Sequence, residues 1–315
     1  MSSSRASRPS ASSPSSRSPE RSPSRSPSPL GGAWRRRVVL AGLVGLGATS
    51  LSSGPAVAGQ GSSPQAIVTA IASGSPDAIK AELERAEHLV CAACVDYVVP
   101  LLDSADAGIR EVAAWWLIRR GASREVFGDM LTRLGEPSAL RARNAADALG
   151  AFQLPQAIPA LGAALSNPIF TAEARVAMAG ALGKIHRAAA AAPLEAALAD
   201  PLPEVRGAAL AALRRVDGFS DGGIALPLLA DADESVRVQA IFTVAERRTT
   251  DAAPALVQLL QGDPSPSVRR RAAWALGQIH AAASVAAQPL GVAAASDASP
   301  FVRSLARASL TALSR

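Results

Sequence analysis

One short pattern recurs along most of the chain and constrains its fold more than any other feature of the sequence. An example is "VRRRAAWALGQIH" at residues 268–280, in which an arginine stands near the start of a helical stretch. Seven such stretches follow one another, separated by steps of 32, 33, 31, 31, 32 and 34 residues. The arginine position is filled by Arg110, Ala142, Arg175, Arg206, Arg237, Arg269 and Arg303. A period of this size indicates stacked supersecondary units.

Two apolar columns keep step with the arginine position. Three residues after it stand Ala113, Ala145, Met178, Ala209, Ala240, Ala272 and Ala306. Seven residues after it stand Leu117, Leu149, Leu182, Leu213, Val244, Leu276 and Leu310. Because offsets of three and seven share one helical face, each unit is predicted to bury one stripe of an amphipathic helix.

Helix-capping residues precede the arginine position by four. They are Asp106, Ser138, Thr171, Asp233, Ser265 and Ser299, whereas Leu202 breaks the pattern. Such side chains accept hydrogen bonds from first-turn amides, and Pro203, Pro266 and Pro300 then occupy the first helical position, which tolerates proline. A second helical run, such as "APALVQLLQGD" at residues 253–263, precedes most caps. Each unit is therefore predicted to be a helical hairpin.

A hairpin with an acidic turn and a second helix that opens on Val-Arg resembles the HEAT repeat. The endings "ALGKI" and "ALGQI" are most similar to its bacterial phycobilisome-lyase-like subgroup. The resemblance covers residues 91–315 and implies an all-α fold, an α-solenoid of about seven HEAT-like hairpins. It also implies a ladder of acid–arginine pairs along the stack: Asp200 with Arg206, Asp231 with Arg237, Asp263 with Arg269, and Asp297 with Arg303. The first three repeats depart from this pattern, in spacing or by carrying Ala142.

The first 58 residues have a different character. Residues 1–33 are rich in Ser, Pro and Arg and are predicted to be disordered, as a long leader, as a segment ahead of the true translation start, or as an RS-type phosphorylation tract. Residues 34–58 combine a basic cluster, an apolar run and the small-residue pattern Ala56 to Ala58, so we expect an export signal cleaved before Gly59. The run is short for a membrane anchor, and the Sec and twin-arginine routes both remain open. Residues 59–90 are predicted to form an N-terminal helical cap.

The charge balance argues against nucleic acid as the partner. The whole chain carries 32 basic and 26 acidic residues, for a net charge of +6. Eight of the arginines and one glutamate precede Val38, so the chain after the signal has a net charge of about −1. A domain without a basic excess lacks the electrostatic attraction that phosphate backbones require.

Chemistry-bearing residues are few. His88, Cys91 and Cys94 form one cluster, for which a disulfide, free thiols, a metal site and a redox switch are all open, with the disulfide preferred. His186 and His280 follow helix ends, where a left-handed residue or a cation near the helix C-terminus is favoured. No phosphate-binding glycine loop or nucleophile motif occurs. We therefore expect no catalytic residues, no metal and no cofactor.

One column of the second helices is a candidate binding surface. Five residues after the arginine position stand Trp115, Phe242 and Trp274, off the buried stripe, with Arg143, Arg270 and Arg271 nearby. Aromatic and arginine side chains dominate protein interfaces. The alternative is that each ring fills the seam between repeats, and Trp116 is assigned to the core.

These features favour a non-catalytic protein-binding or assembly scaffold that is exported to the periplasm or secreted. We expect a monomer or a subunit of a hetero-complex that binds a protein, with no membrane span after signal cleavage. The alternative is a lyase-type accessory protein that acts on, or delivers, a tetrapyrrole or similar cofactor.

Overall fold

The computed structural model describes residues 61–313, and it is helical throughout this range. The predicted leader and export signal lie outside the described residues. The α-helices are α1 (Pro64–Ser73), α2 (Pro76–Arg85), α3 (Val95–Val98), α4 (Ala107–Arg119), α5 (Ser123–Leu134), α6 (Ala139–Phe152), α7 (Ile158–Ser166), α8 (Ala172–Ile185), α9 (Ala191–Ala196), α10 (Pro203–Leu213), α11 (Glu234–Glu246), α12 (Ala253–Gly262), α13 (Pro266–Gln278), α14 (Ala283–Ser296) and α15 (Pro300–Leu313). Short 3-10 helices are Ala86–His88, Ala92–Cys94, Val99–Asp103, Pro155–Ala157, Ala188–Ala190, Ala197–Ala199, Gly223–Ala225, Pro227–Ala230 and Thr250–Ala252.

Seven helical hairpins follow the two N-terminal helices, which confirms the predicted all-α repeat fold. Their second helices are α4, α6, α8, α10, α11, α13 and α15, and each contacts the next in this order. The first helices are less regular. In the fifth hairpin, the first segment consists of the 3-10 helices Gly223–Ala225 and Pro227–Ala230.

The second helices begin where the capping pattern predicts. The side chains of Asp106, Ser138, Thr171, Asp233 and Ser265 each accept a hydrogen bond from a first-turn amide, whereas Leu202 provides none. Five of the second helices also end alike, because the residue eleven places after the arginine position takes a left-handed conformation. It does so at Gly121, Gln153, His186, Arg248 and His280, which confirms the prediction for both histidines.

The two apolar columns are buried, as predicted. All residues of the first column are at most 1% exposed, and those of the second are 0% exposed except Leu310, which is half-buried. Small residues let neighbouring second helices approach closely. A Cβ added to Gly150 would lie 2.7 Å from the Cα of Ala181, and one added to Gly183 would lie 2.9 Å from the Cα of Ala212.

An arginine–aspartate ladder connects the last five hairpins. Each arginine donates through Nε and Nη2 to the carboxylate of the following repeat: Arg206 to Asp231 (2.8 and 2.7 Å), Arg237 to Asp263 (2.7 and 3.1 Å), and Arg269 to Asp297 (2.9 and 3.1 Å). Arg175 also pairs with the acid of the following repeat, Asp200, but through Nη1 and Nη2. The guanidinium groups therefore join consecutive repeats.

The sequence-based prediction paired each acid with the arginine of its own repeat, and this is wrong for the carboxylates. The predicted pairs were Asp200 with Arg206, Asp231 with Arg237, Asp263 with Arg269, and Asp297 with Arg303. Within a repeat the arginine donates from Nη1 to the backbone carbonyl of the acid instead, as Arg269 does to Asp263 at 2.9 Å. Each carboxylate also accepts the amide two residues onward, for example from Ser265 to Asp263 at 2.8 Å. This hydrogen bond closes a turn that orients the carboxylate toward the preceding repeat. Among residues 61–313, no carboxylate pairs with Arg303, which donates to the Asp297 carbonyl at 2.7 Å.

The ladder shifts the pKa of its acids. Hydrogen bonds from the Arg269 guanidinium lower the pKa of the Asp297 carboxyl, although burial acts in the opposite direction. At Asp231 burial favours a higher pKa, but the bonds from Arg206 and from the backbone amide of Asp233 outweigh it and lower the pKa. Both acids are therefore more readily ionised in the folded protein than in the unfolded chain.

The first hairpins use other partners. Arg110 donates to the Ser104 carbonyl at 2.9 Å, as a ladder arginine would, but its carboxylate partner is Asp147 of α6, at 3.0 Å. The turn acid Asp103 instead pairs with Arg133. The departures in sequence spacing therefore correspond to real departures in pairing.

The N-terminal helices pack against the first hairpin, where α2 contacts α4. Trp116 is 0% exposed and donates from Nε1 to the Ala86 carbonyl at 3.3 Å, which confirms its place in the core. No helix among residues 61–313 combines the length and apolar character that crossing a membrane requires.

Candidate functional site

Four side chains of the second helices form one cluster, here called the aromatic–arginine patch: Arg214, Phe242, Arg271 and Trp274. The Phe242 and Trp274 rings meet edge to face, with centroids 5.6 Å apart and an interplanar angle of 62°. The guanidinium carbons of Arg214 and Arg271 lie 5.9 and 5.7 Å from the centroid of the Phe242 ring. An edge-to-face ring pair and a cation within about 6 Å of a ring centroid are both favourable arrangements.

The repeat itself builds this patch. Phe242 and Trp274 hold the same position in α11 and α13, so stacking the two helices brings the rings together. Both rings are half-buried, and Trp274 packs against the hydrophobic core. Trp274 thus matches neither sequence-based alternative fully, because one part of the ring fills the seam and the other faces solvent.

Neighbouring polar groups hold the two arginines in place. Arg214 donates to the Gln239 side chain at 2.9 Å and pairs with Glu246 at 3.2 Å. Burial lowers the pKa of Arg214, an effect that Glu246 opposes. Arg271 donates to the Ser267 carbonyl at 3.1 Å. The patch therefore presents positive charge beside a fixed aromatic edge.

The structure does not bring all of the predicted binding residues together. Trp115 lies on α4, in the first hairpin, where Arg119 stacks 5.7 Å from its ring centroid. Arg143 pairs with Glu173 and donates to the Asn144 side chain, so it is engaged elsewhere. Arg270 is half-buried and takes no part in the ring contacts of the described residues. The predicted column thus divides, and only Phe242, Trp274 and Arg271 form one surface.

Arg214 is the member of the patch that the sequence interpretation missed. It caps the C-terminus of α10 and stands three residues after Ala211, the residue of the fourth repeat in the same column as Phe242. Residues three apart on a helix are neighbours on its surface. That spacing is the signal by which Arg214 could have been found.

A polar cleft of about 310 Å³ lies nearer the N-terminus, at α4 and α6. Its polar lining is Arg110, Glu111, Asn144, Asp147, Gln153 and Lys184. The Nε of Arg110 and the Nδ2 of Asn144 are buried there without a hydrogen-bond partner. Because an unpaired buried donor is unfavourable, a water or a small acceptor group fits this cleft.

Cys91 and Cys94 are joined by a disulfide, with Cα atoms 5.3 Å apart. His88, three residues before Cys91, is exposed. Within residues 61–313, no three His, Cys, Asp or Glu side chains are placed to share a metal ion.

The second-helix stack, its capped turns and its inter-repeat ladder define a HEAT-repeat protein. The sequence pattern of the HEAT repeats matches residues 125–214 and 224–311, and the chain belongs to this family. No curated protein sequence is significantly similar to the chain.

Several solved structures align with the chain. The X-ray structure of YibA from E. coli aligns with a TM-score of 0.51 at 17% identity, over 78% of this chain and 91% of YibA. The CpcE–CpcF complex of phycocyanin lyase from Nostoc sp. PCC7120 aligns with a TM-score of 0.37 at 20% identity, over 84% of this chain and 100% of that one. Human deoxyhypusine hydroxylase, in complex with glycerol, aligns with a TM-score of 0.35 at 19% identity, over 80% and 94%. The likeness to YibA shows a shared fold.

Proposed function

We propose that this protein is an exported, non-catalytic scaffold that binds another protein through the aromatic–arginine patch. The observation that carries the proposal is the meeting of Phe242 and Trp274 at 5.6 Å, with Arg214 and Arg271 beside the Phe242 ring. Aromatic and arginine side chains that are packed in place are the residues in which binding energy concentrates. Helical-repeat stacks supply the extended surfaces on which such anchors act.

The chemistry of the patch defines the partner. The exposed ring edges accept an apolar side chain, and the Arg271 guanidinium, which pairs with no carboxylate among the described residues, attracts an acidic group. Arginine forks bind carboxylates in pairs of parallel hydrogen bonds, which adds orientation to affinity. The partner segment is therefore an apolar side chain with an acidic group close to it.

Two observations support export. Residues 34–58 carry the basic cluster, apolar run and small-residue pattern of a signal peptide. The Cys91–Cys94 disulfide suits an oxidising compartment, since disulfides are rare where glutathione keeps thiols reduced. N-terminal sequencing of the native protein should begin at Gly59, and a mature protein that retains residues 1–58 would contradict export.

Affinity capture with matched variants tests the binding role. The bait is the mature protein, as wild type, as Arg271→Ala and as Trp274→Ala, and Arg187→Ala is the control because Arg187 is exposed outside the patch. One protein should be recovered by the wild type and the control, and recovery should fall at least about tenfold with either patch variant, as loss of an anchor predicts.

The same experiment separates the rival function. Equal recovery with all four baits would contradict binding through the patch. A tetrapyrrole or other pigment that co-purifies in stoichiometric amount would contradict the scaffold role and favour the lyase-type accessory function. Absorbance spectra of the wild-type bait provide this measurement.

A further inference from the structure

The cysteine pair lies where the N-terminal helices meet the first hairpin, and its two residues are unequally exposed. Cys91 is half-buried and precedes the 3-10 helix Ala92–Cys94, which leads directly into α3. Cys94 is 1% exposed. A reagent from solvent therefore approaches Cys91 more readily than Cys94.

We propose that Cys91 and Cys94 form a redox-active disulfide that exchanges with a pair of cysteine thiols on a protein substrate. This is a covalent exchange in which one oxidised protein oxidises one substrate, so it goes beyond the proposed binding function without making the scaffold a catalyst. It requires neither the aromatic–arginine patch nor export.

The disulfide adds little that the fold needs. It closes a loop of only four residues, and short loops gain the least stabilisation from closure. The junction between the N-terminal helices and the first hairpin is already held by other contacts. Trp116 and Arg120 both donate to the Ala86 carbonyl, and Arg119 pairs with Glu87 at 3.0 Å. A structural role therefore does not account for the cysteines.

The backbone favours charge on one sulfur. The amide N–H of Cys94 donates to the Sγ of Cys91 at 3.1 Å. In the reduced protein the same N–H would stabilise a thiolate at Cys91, and a thiolate is both the nucleophile and the good leaving group in exchange. The greater exposure of Cys91 and the hydrogen bond to its sulfur thus both favour reaction at Cys91.

The exchange balances with the substrate as its only co-reactant. A substrate thiolate attacks the Sγ of Cys91, a mixed disulfide forms, and Cys94 leaves as a thiolate that takes a proton from water. The second substrate thiolate then attacks the substrate sulfur of the mixed disulfide, and Cys91 leaves with the help of the Cys94 N–H. The substrate loses two electrons and gains a disulfide, while the cysteine pair gains the two electrons.

The surface around Cys91 indicates the kind of substrate. Val90 is 93% exposed, Tyr97 of α3 is 51% exposed, and Ala92 and Ala93 are exposed between them. Exposed apolar groups of this kind mark interaction sites. The substrate is therefore a cysteine-containing protein segment with apolar side chains, such as a chain that has not finished folding.

Single-cysteine variants of the full mature chain, with oxidised glutathione as the probe, test which sulfur reacts. Cys94→Ser retains Cys91, and at neutral pH it should form the mixed disulfide at least about tenfold faster than Cys91→Ser, which retains the buried thiol. Cys91 of Cys94→Ser should also react faster in the folded protein than in concentrated urea. Equal rates for the two variants, or a faster reaction in the unfolded chain, would overturn the proposal.

The wild-type protein provides an independent test that needs no cysteine substitution. It should oxidise a reduced two-cysteine peptide with apolar flanks, and Val90→Ser should slow this reaction about fivefold, as loss of an apolar contact predicts. Phe301→Ser is the control, because Phe301 is 69% exposed on α15, in the last hairpin. A disulfide that the peptide does not reduce, or a rate that Val90→Ser leaves unchanged, would contradict the proposed exchange with apolar substrates.

Discussion

Arg269 and Arg303 hold the same position in successive repeats but make different numbers of contacts. Both donate to a backbone carbonyl of their own turn, at 2.9 and 2.7 Å. Only Arg269 also binds the carboxylate of a following repeat, that of Asp297. The pair therefore separates the inter-repeat part of the ladder from the part that closes a single turn.

Arg269→Ala should lower the free energy of unfolding by about 3 kcal/mol, because it leaves the carboxylate of Asp297, whose side chain is 8% exposed, without its partner. Arg303→Ala should cost only about 1 kcal/mol, the worth of hydrogen bonds to a carbonyl. Urea titrations of both variants provide the measurement. Equal losses would show that the inter-repeat pairing contributes nothing.

Trp274 and Trp116 differ in how far they are buried, which sets what their removal does to stability. Trp274→Ala should lower the free energy of unfolding by about 2 kcal/mol, because the half-buried ring loses core packing and its contact with Phe242. Trp116→Ala, at a fully buried site, should cost about 4 kcal/mol. Thermal melts of the two variants check the order, and a Trp274→Ala loss as large as that of Trp116→Ala would assign Trp274 wholly to the core.

At the scale of a helix, two glycines of α8 have opposite surroundings. Gly183 faces α10, and a Cβ there would lie 2.9 Å from the Cα of Ala212, whereas a Cβ on Gly180 would meet nothing within 4 Å. Helix propensity favours alanine over glycine at both positions. Any difference between the two substitutions therefore reports the close approach of neighbouring repeats.

Gly180→Ala should raise the free energy of unfolding by about 0.5 to 1 kcal/mol, the propensity difference in a helix. Gly183→Ala should instead lower it by about 1 to 2 kcal/mol, because the added methyl forces α8 and α10 apart. Chemical denaturation measures both. A stabilised Gly183→Ala variant would mean that α8 and α10 are not closely packed.

Those features of an element that depend on nearby residues were predictable from the sequence. The N-caps at Asp106 and Ser265 and the left-handed ends at His186 and His280 follow from local backbone chemistry. The ladder partners were not predictable, because two acids, Asp200 and Asp231, contact Arg206 and each does so through a different group. The Asp200 carbonyl and the Asp231 carboxylate both accept bonds from this arginine, and only the stacking of repeats decides between them.

Across the whole stack, the ladder makes stability depend on pH. The pKa values of Asp231 and Asp297 lie below the ordinary value of 3.8, so unfolding takes up protons in acid. The stability that the two acids contribute is complete above the ordinary pKa and is lost as the pH falls through the lowered values.

The melting temperature of the wild type should therefore fall as the pH drops below about 4. The fall should be smaller in the double variant Asp231→Asn, Asp297→Asn, which is less stable at neutral pH but has lost two groups that take up protons on unfolding. Asp251→Asn, which removes an exposed acid outside the ladder, should follow the wild type. If the melting temperatures of all three proteins depended on pH in the same way, the ladder acids would not be the source of the pH dependence.

At the same scale, the second helices of the seven hairpins form one continuous layer, and we propose that the partner binds at its aromatic–arginine patch. A photo-crosslinking amino acid introduced at Ala211, one turn from Arg214, tests this directly in cells. Gln258, exposed on the first helix α12, is the matched control position. A single protein adduct of defined mass is expected from position 211 and none from position 258. An adduct from position 258 alone, or none from either position, would contradict partner binding at the patch.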